Sequence, residues 1–311
     1  MRKFFINGVG DQGGPNIFAS RLKDALCTQG MDFFIPDPYT HSQRFSNLAI
    51  IQGIRFPNAK NILRLDGLYF DSENEANDNL NRGAFDCYFN FDHVIFQSEF
   101  SRDMYEAFTT VKKPHSVISN GVPDYFSPSA KPSESPPGYE KVCLASASWR
   151  RHKRLEEAVE AFRSPALKDV CLVVLGGAEY DLKQEIPENV FLKPRIPPED
   201  LPGYYTMADA MIHLSWLDWC PNTVVESLAC GTPVLCSSNG GTKELVKDNG
   251  VVIQLEESYN IGEKVPLYNP PKVDSQLVVE GILKVLNESK GFTRKDLSIE
   301  EVAKKYSKVM I

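Results

Sequence analysis

The chain has 311 residues, 42% of them hydrophobic and 24% charged, with a formal net charge of −7. That length suits about two domains with sizeable cores, and the acidic balance speaks against a nucleic-acid partner, which needs basic surface. The seven cysteines are scattered with no Cys-x-x-Cys or Cys/His spacing for zinc, so they read as free thiols of a reducing, cytoplasmic compartment.

The N-terminal Met-Arg-Lys-Phe-Phe-Ile-Asn7 is too short and soon too polar for a signal peptide. No apolar run approaches the ~20 residues that span a bilayer. Phe4 to Asn7 reads as a buried strand, followed by the glycine-rich turn Gly8-Val-Gly10-Asp-Gln-Gly13-Gly14. Pro15 suits the first helical position, Phe18, Leu22 and Leu26 recur at helical spacing, and Gly30 ends that helix. Strands are predicted at Phe33 to Ile35, Ala49 to Gln52, Asn61 to Leu65, His93 to Gln97 and Ser116 to Ser119, with a helix from about Ser101.

Ser127 to Gly138 is rich in Ser and Pro and poor in apolar residues, which marks a domain boundary. The same rhythm then restarts. Val142 to Ala145, Cys171 to Leu175, Val190 to Leu192, Ala210 to Leu214 and Val234 to Cys236 read as strands, and Leu155, Ala158, Val159 and Phe162 share one helical face. Tyr259 to Asp274 is a polar connection. Ser298 and Glu301 form a capping box for a last helix whose face carries Ile299, Val302, Tyr306 and Val309. Alternating strands and helices argue a parallel α/β sheet in each half.

Asp218-Trp-Cys-Pro-Asn-Thr-Val-Val-Glu226-Ser-Leu-Ala-Cys-Gly-Thr-Pro-Val-Leu235 carries the most chemistry. Two carboxylates flank a Pro-Asn turn and the start of an apolar helix, in which Asn222 and Thr223 come first. A helix start carries partial positive charge and N–H groups without helical partners, so it suits a phosphate. A carboxylate one turn in can accept hydrogen bonds from two ribose hydroxyls. An acid upstream of the turn can reach a sugar hung beyond the phosphates. The pattern is that of a nucleotide-sugar site.

This segment resembles the Glu-x7-Glu signature of retaining GT-B glycosyltransferases, glycosyltransferase family 4 or glycosyl transferases group 1, with Asp218 in place of the first Glu. The resemblance is dense over about residues 141 to 250. It implies two Rossmann-like domains facing across a cleft: residues 1–126 for the acceptor, residues 139–297 for the donor, and a helix at 298–311 that either crosses back to the first domain or lies on the surface. It implies transfer of a sugar from a nucleoside-diphosphate sugar to a hydroxyl of a glycan or lipid-linked acceptor, with retention and without metal or cofactor. It leaves room for peripheral membrane contact, and the short first domain suits a small or extended glycan.

Residue by residue, the resemblance puts Glu226 on the ribose and Asp218 beside the donor sugar. Lys153 stands where the family lysine neutralises the diphosphate. Ala147 and Ser148 stand where the family arginine does, so Arg150 or Arg151 supplies that charge. Arg195 and Ile196 match the loop whose backbone meets the base. Asp66, in Leu63-Arg-Leu-Asp-Gly67, either positions the acceptor hydroxyl or caps a tight turn. Gly13 and Gly14 are the glycines best placed to approach phosphate. The histidines read as structural, with His213 directed at the cleft if its strand is parallel. Gly240-Gly241 reads as mainly structural.

Three rivals remain at this point. Gly8-x-Gly10-x-x-Gly13 with Asp37 also fits a dinucleotide fingerprint, hence an NAD-dependent oxidoreductase. A nucleotide-sugar epimerase and a non-catalytic nucleotide-sugar binder are the other two.

Overall fold

The computed structural model describes residues 2–7, 13–36, 44–178, 182, 185–255 and 259–311. In chain order its first elements are β1 (Arg2–Asn7), α1 (Gly14–Thr28), β2 (Met31–Phe33), β3 (Phe45–Ile50), β4 (Ala59–Leu65), α2 (Ala76–Asn90), β5 (His93–Phe96), α3 (Glu99–Glu106) and β6 (His115–Val117). Next come β7 (Lys141–Ser146), α4 (Leu155–Ala161), β8 (Val170–Leu175), β9 (Val190–Lys193), α5 (Leu201–Met207) and β10 (Ala210–His213). The remainder is α6 (Asn222–Ala229), β11 (Val234–Ser237), α7 (Thr242–Val246), β12 (Gly250–Ile253), α8 (Ser275–Val285) and α9 (Ile299–Met310). The chain divides into two units, one of Met1–Pro123, Asn260–Val265 and Lys295–Ile311, the other of Asp124–Tyr259 and Pro266–Arg294.

The first unit holds a six-stranded parallel sheet in the order β2-β1-β3-β4-β5-β6. Strand β3 is buried along its whole length, as expected for a central strand covered on both faces. It begins at Phe45, earlier than the apolar run of the sequence suggests, because buried Asn47 finds polar partners beside the sheet. Its amide donates to the Ile54 carbonyl at 2.8 Å and to Asn61 Oδ1 at 3.0 Å. Strand β2 also lies earlier than predicted, with Met31 opposite Arg2 on β1. Helix α1 buries Phe18, Ala19, Leu22, Ala25 and Leu26. Helix α9 buries Ile299, Val302, Ala303, Tyr306 and Met310 in the same core, and the rings of Phe18 and Tyr306 lie 5.8 Å apart. Each such side chain removed from water contributes roughly 1.5–3 kcal/mol before entropy is counted. Only half of the capping box before α9 forms. Ser298 accepts from the Glu301 amide at 3.2 Å, while the Glu301 carboxylate turns to Lys304 at 2.5 Å. Gly8 to Gln12 and Asp37 lie outside the described residues.

The second unit holds a parallel sheet in the order β12-β11-β10-β7-β8-β9. Counted from its own first strand, β7, this is the 3-2-1-4-5-6 order of dinucleotide-binding sheets read from the far edge. The order reverses between β7 and β10, where Ala210 lies opposite Cys143 and Met211 opposite Leu144. Connections leave these two strands toward opposite sides, so a crevice opens at their C-terminal ends. The first unit's β2-β1-β3 order differs, so β1 does not stand in the strand order of the dinucleotide-binding sheet that the NAD reading implies.

All seven cysteines are free thiols. Among the described residues, no helix is long and apolar enough to cross a membrane.

Candidate functional site

Two loops meet at the C-terminal edge of the second sheet. The loop after β7 runs through a single turn of 3-10 helix, Arg151–Lys153, and enters α4 through Arg154 in the left-handed conformation (φ 56°). The four cations of this stretch divide by role. Arg150 and Arg151 are exposed. Arg154 is buried and donates to the carbonyls of Leu214 at 3.3 Å and Pro271 at 2.9 Å. It therefore bolts the loop after β7 to the loop after β10. Lys153 reaches across the crevice and bonds the Asp218 carboxylate.

Asp218 is held from several sides. Its Oδ1 accepts from the Trp219 amide at 2.9 Å, and its carbonyl accepts from the Gly241 amide at 2.8 Å. Leu217, the residue before it, has φ 62°, which costs an L-residue roughly 1–2 kcal/mol. Gly240 (φ +82°) is packed so tightly here that a Cβ would lie 2.7 Å from the Asp218 carbonyl oxygen. The Gly240-Gly241 turn thus has a structural role, shaping the loop that presents the acid. His213, buried at the end of β10, places Nε2 3.5 Å from Asp218 Oδ2.

With 12% of the Asp218 side chain and 20% of the Lys153 side chain exposed, the pair is mostly withdrawn from water. Burial alone would raise the Asp218 carboxyl, but the Lys153 charge and the approach of His213 outweigh it and hold the group well below the usual carboxylate range. Burial lowers His213 from its ordinary value, against the pull of Asp218. Burial, reinforced by the Lys153 charge, lowers His152 to about 3. The site at neutral pH is therefore an ammonium–carboxylate pair flanked by neutral imidazoles.

Helix α6 follows from Pro221, with no side-chain cap. Asn222 and Thr223 are half-buried in its first turn, and Glu226 is buried one turn further in. The Glu226 carboxylate accepts from the Tyr205 hydroxyl at 3.0 Å. Tyr205 belongs to α5, whose first turn holds Pro202 and Gly203. The glycine is needed there because a Cβ would lie 2.7 Å from Ser133 Oγ and 3.0 Å from the Lys131 carbonyl. Before β10, Arg195 is exposed, and Ile196 lines a cavity of about 420 Å³ with Lys131, Ser133 and Tyr204.

The crevice thus brings Lys153, His213 and Asp218 together, with Glu226 on the helix that follows. Cations, a helix start and two acids can hold a phosphorylated, hydroxyl-rich ligand. No group of three or more His, Cys, Asp or Glu with metal-binding placement occurs among the described residues.

The remaining sequence candidates lie in the first unit. Gly13 (φ 101°) and Gly14 start α1 and are exposed. Asp66 follows β4 at the C-terminal edge of that sheet, ion-paired to buried Arg64, and its carbonyl accepts from the Ser101 hydroxyl. Arg64 also donates to Gln97 Oε1 at 3.1 Å and Asn120 Oδ1 at 2.7 Å, with its guanidinium 4.6 Å above the Phe18 ring. The carboxylate is thus oriented by a buried cation that is itself fixed from three strands' ends and a helix.

Residues 127–291, more than half of the chain, match the family model of glycosyl transferases group 1. Alpha-monoglucosyldiacylglycerol synthase of Streptococcus pneumoniae is 32% identical over 177 residues, covering 50% of this chain and 40% of the relative. N-acetyl-alpha-D-glucosaminyl L-malate synthase of Bacillus anthracis is 23% identical over 133 residues, covering 40% of this chain and 35% of the relative. The chain thus aligns to less than half the length of either. Among solved structures, sucrose-phosphate synthase from Thermosynechococcus elongatus superposes with a TM-score of 0.69 at 14% identity, covering 99% of this chain and 98% of that one. The Anabaena protein HepE in complex with UDP-glucose gives a TM-score of 0.63 at 14% identity, with coverage of 99% and 98%. The two Rossmann-like sheets are those of the GT-B fold. On its sequence match and its fold, the chain belongs to the glycosyl transferases group 1 family.

Proposed function

We propose that the protein transfers a glycosyl unit from a nucleoside-diphosphate sugar to a hydroxyl of a glycan or lipid-linked acceptor, with retention of anomeric configuration. The observation that carries this reading is the Lys153–Asp218 pair at the switch point of the second sheet, one short loop ahead of Glu226. The UDP-glucose in the HepE structure and the diacylglycerol named in the pneumococcal relative support the donor and acceptor classes. Seven free thiols accord with a cytoplasmic setting.

In this reading Glu226 accepts hydrogen bonds from the ribose. The base rests on the backbone at Arg195 and Ile196. Lys153, with Arg150 or Arg151 and the first turn of α6 at Asn222 and Thr223, neutralises the diphosphate. Gly13 and Gly14, at the start of α1, are the glycines of the first unit suited to contact with phosphate. The bond from the anomeric carbon to the phosphate oxygen breaks as the acceptor oxygen attacks from the same face. The acceptor proton passes to the departing phosphate, and Asp66 positions the acceptor hydroxyl. Charge gathers on the leaving diphosphate as the bond stretches, so fixed cations lower the barrier, and no metal or cofactor is invoked. Asp218 holds hydroxyls of the donor sugar. Asp is one methylene shorter than Glu, so either the sugar sits closer to the β10 loop or a water bridges the two.

Incubation with UDP- and GDP-sugars and a panel of hydroxyl acceptors, with products resolved by NMR, tests the reading. An α-linked donor is expected to give an α-glycoside. An inverted product removes the retaining mechanism, and binding of NAD in place of nucleotide sugars removes the whole proposal.

A further inference from the structure

We infer that Tyr205 is a positioning residue for the ribose-binding carboxylate and sets the preference of the site for ribonucleotides over 2′-deoxyribonucleotides. The inference rests on the reading of Glu226 as the ribose ligand. Glu226 is 5% exposed and Tyr205 fully buried, and the phenol donates to Glu226 Oε2 at 3.0 Å. A buried carboxylate is costly unless hydrogen-bonded, and a carboxylate's terminal torsion is otherwise broad. The phenol answers both needs, supplying a charge-assisted bond and fixing the carboxylate plane.

The phenol is itself fixed. The Tyr205 carbonyl accepts from the Thr232 hydroxyl at 2.6 Å, so the turn after α6 is tied to α5. Its ring lies 6.2 Å from that of Phe126, and Ser146, at the end of β7, approaches its hydroxyl. Burial, and then the Glu226 charge, push the phenol well above its ordinary pKa, so it remains a donor throughout the working range. A carboxylate accepts about four hydrogen bonds, so the phenol leaves acceptor capacity for sugar hydroxyls while dictating where they must stand. Three elements that the sheet brings together, the end of β7, α5 and α6, converge on this one oxygen pair.

Calorimetric titration of UDP, GDP and their 2′-deoxy counterparts into the wild type, Tyr205→Phe, Glu226→Gln and the double variant tests the inference. The wild type is expected to favour the ribose form about tenfold or more, the scale of one hydrogen bond to a charged group. Tyr205→Phe is expected to weaken ribonucleotide binding about tenfold and to bring the ratio within about twofold. A wild-type ratio retained in Tyr205→Phe, but lost in Glu226→Gln, overturns the inference and spares the ribose reading. A ratio that Glu226→Gln leaves intact overturns both. The double variant removes charge and donor together and is the safer fold. In the Glu226→Gln background, Tyr205→Phe is expected to change the ratio no further, and a further change overturns the coupling.

Discussion

Asp218 is a carboxylate whose environment opposes itself: burial disfavours its charge, while Lys153 and His213 favour it and win. The sign of the consequence follows from linkage. A folded-state pKa below the unfolded one contributes stability that is complete above the unfolded value of ~3.9 and is lost as pH falls below it. Asp218→Asn is therefore expected to cost about 1–3 kcal/mol at pH 7, with the gap to wild type closing as urea titrations move below about pH 4. A gap that stays constant, or widens with acid, contradicts the assigned ion pair. The acid stood out in the sequence by its place ahead of a turn and a helix start, and the lysine through the family resemblance. Their mutual bond was not legible, since Lys153 and Asp218 belong to different loops and only the strand order brings those loops side by side. The place of Arg154 was hidden for the same reason, since its guanidinium faces carbonyls of loops remote in sequence.

At the level of elements, the strands were easier to read than several helices. Strands β7, β8 and β10 are short apolar runs, which a doubly covered parallel sheet demands. Helix α2 gave no such signal, for Asn77, Asn79, Asn81 and Asn90 interrupt it and only Asn77, Ala84 and Tyr88 are buried. Helix α5 was hidden by Pro202 and Gly203, residues that belong in loops until a close neighbour makes glycine necessary. With α5 went Tyr205, so the partner of Glu226 escaped a reading that found Glu226 itself. Helix α9 was legible from its cap. Ser298→Ala is expected to destabilise the protein by about 1 kcal/mol, as loss of an N-cap does. Ser298→Asp should largely restore it, and thermal melts of the three proteins compare these outcomes.

For the whole molecule, α/β alternation along the chain pointed to a parallel sheet in each half, while the way segments are shared between the units emerges only from the fold. The first unit is assembled from three stretches of chain. All three tryptophans, Trp149, Trp216 and Trp219, lie in the second unit, so their fluorescence reports that unit alone. Tyr306→Ala opens a hole beside Phe18 in the first unit's core and is expected to cost about 3–5 kcal/mol. In a urea titration its circular dichroism should then begin to fall before the tryptophan signal moves. Coincident midpoints at the wild-type position would deny α9 its place in that core.

Helix α9 also sets a timetable for biosynthesis. Synthesis proceeds from the N-terminus, yet Ile299, Val302 and Tyr306 are needed to close the core begun by Phe4 and Phe18. The unit begun earlier is thus finished later, after the intervening unit has been made. A chain cut short before Ile299 would carry a complete second sheet joined to a half-open first one, with the apolar side of α1 left wet and open to chaperones.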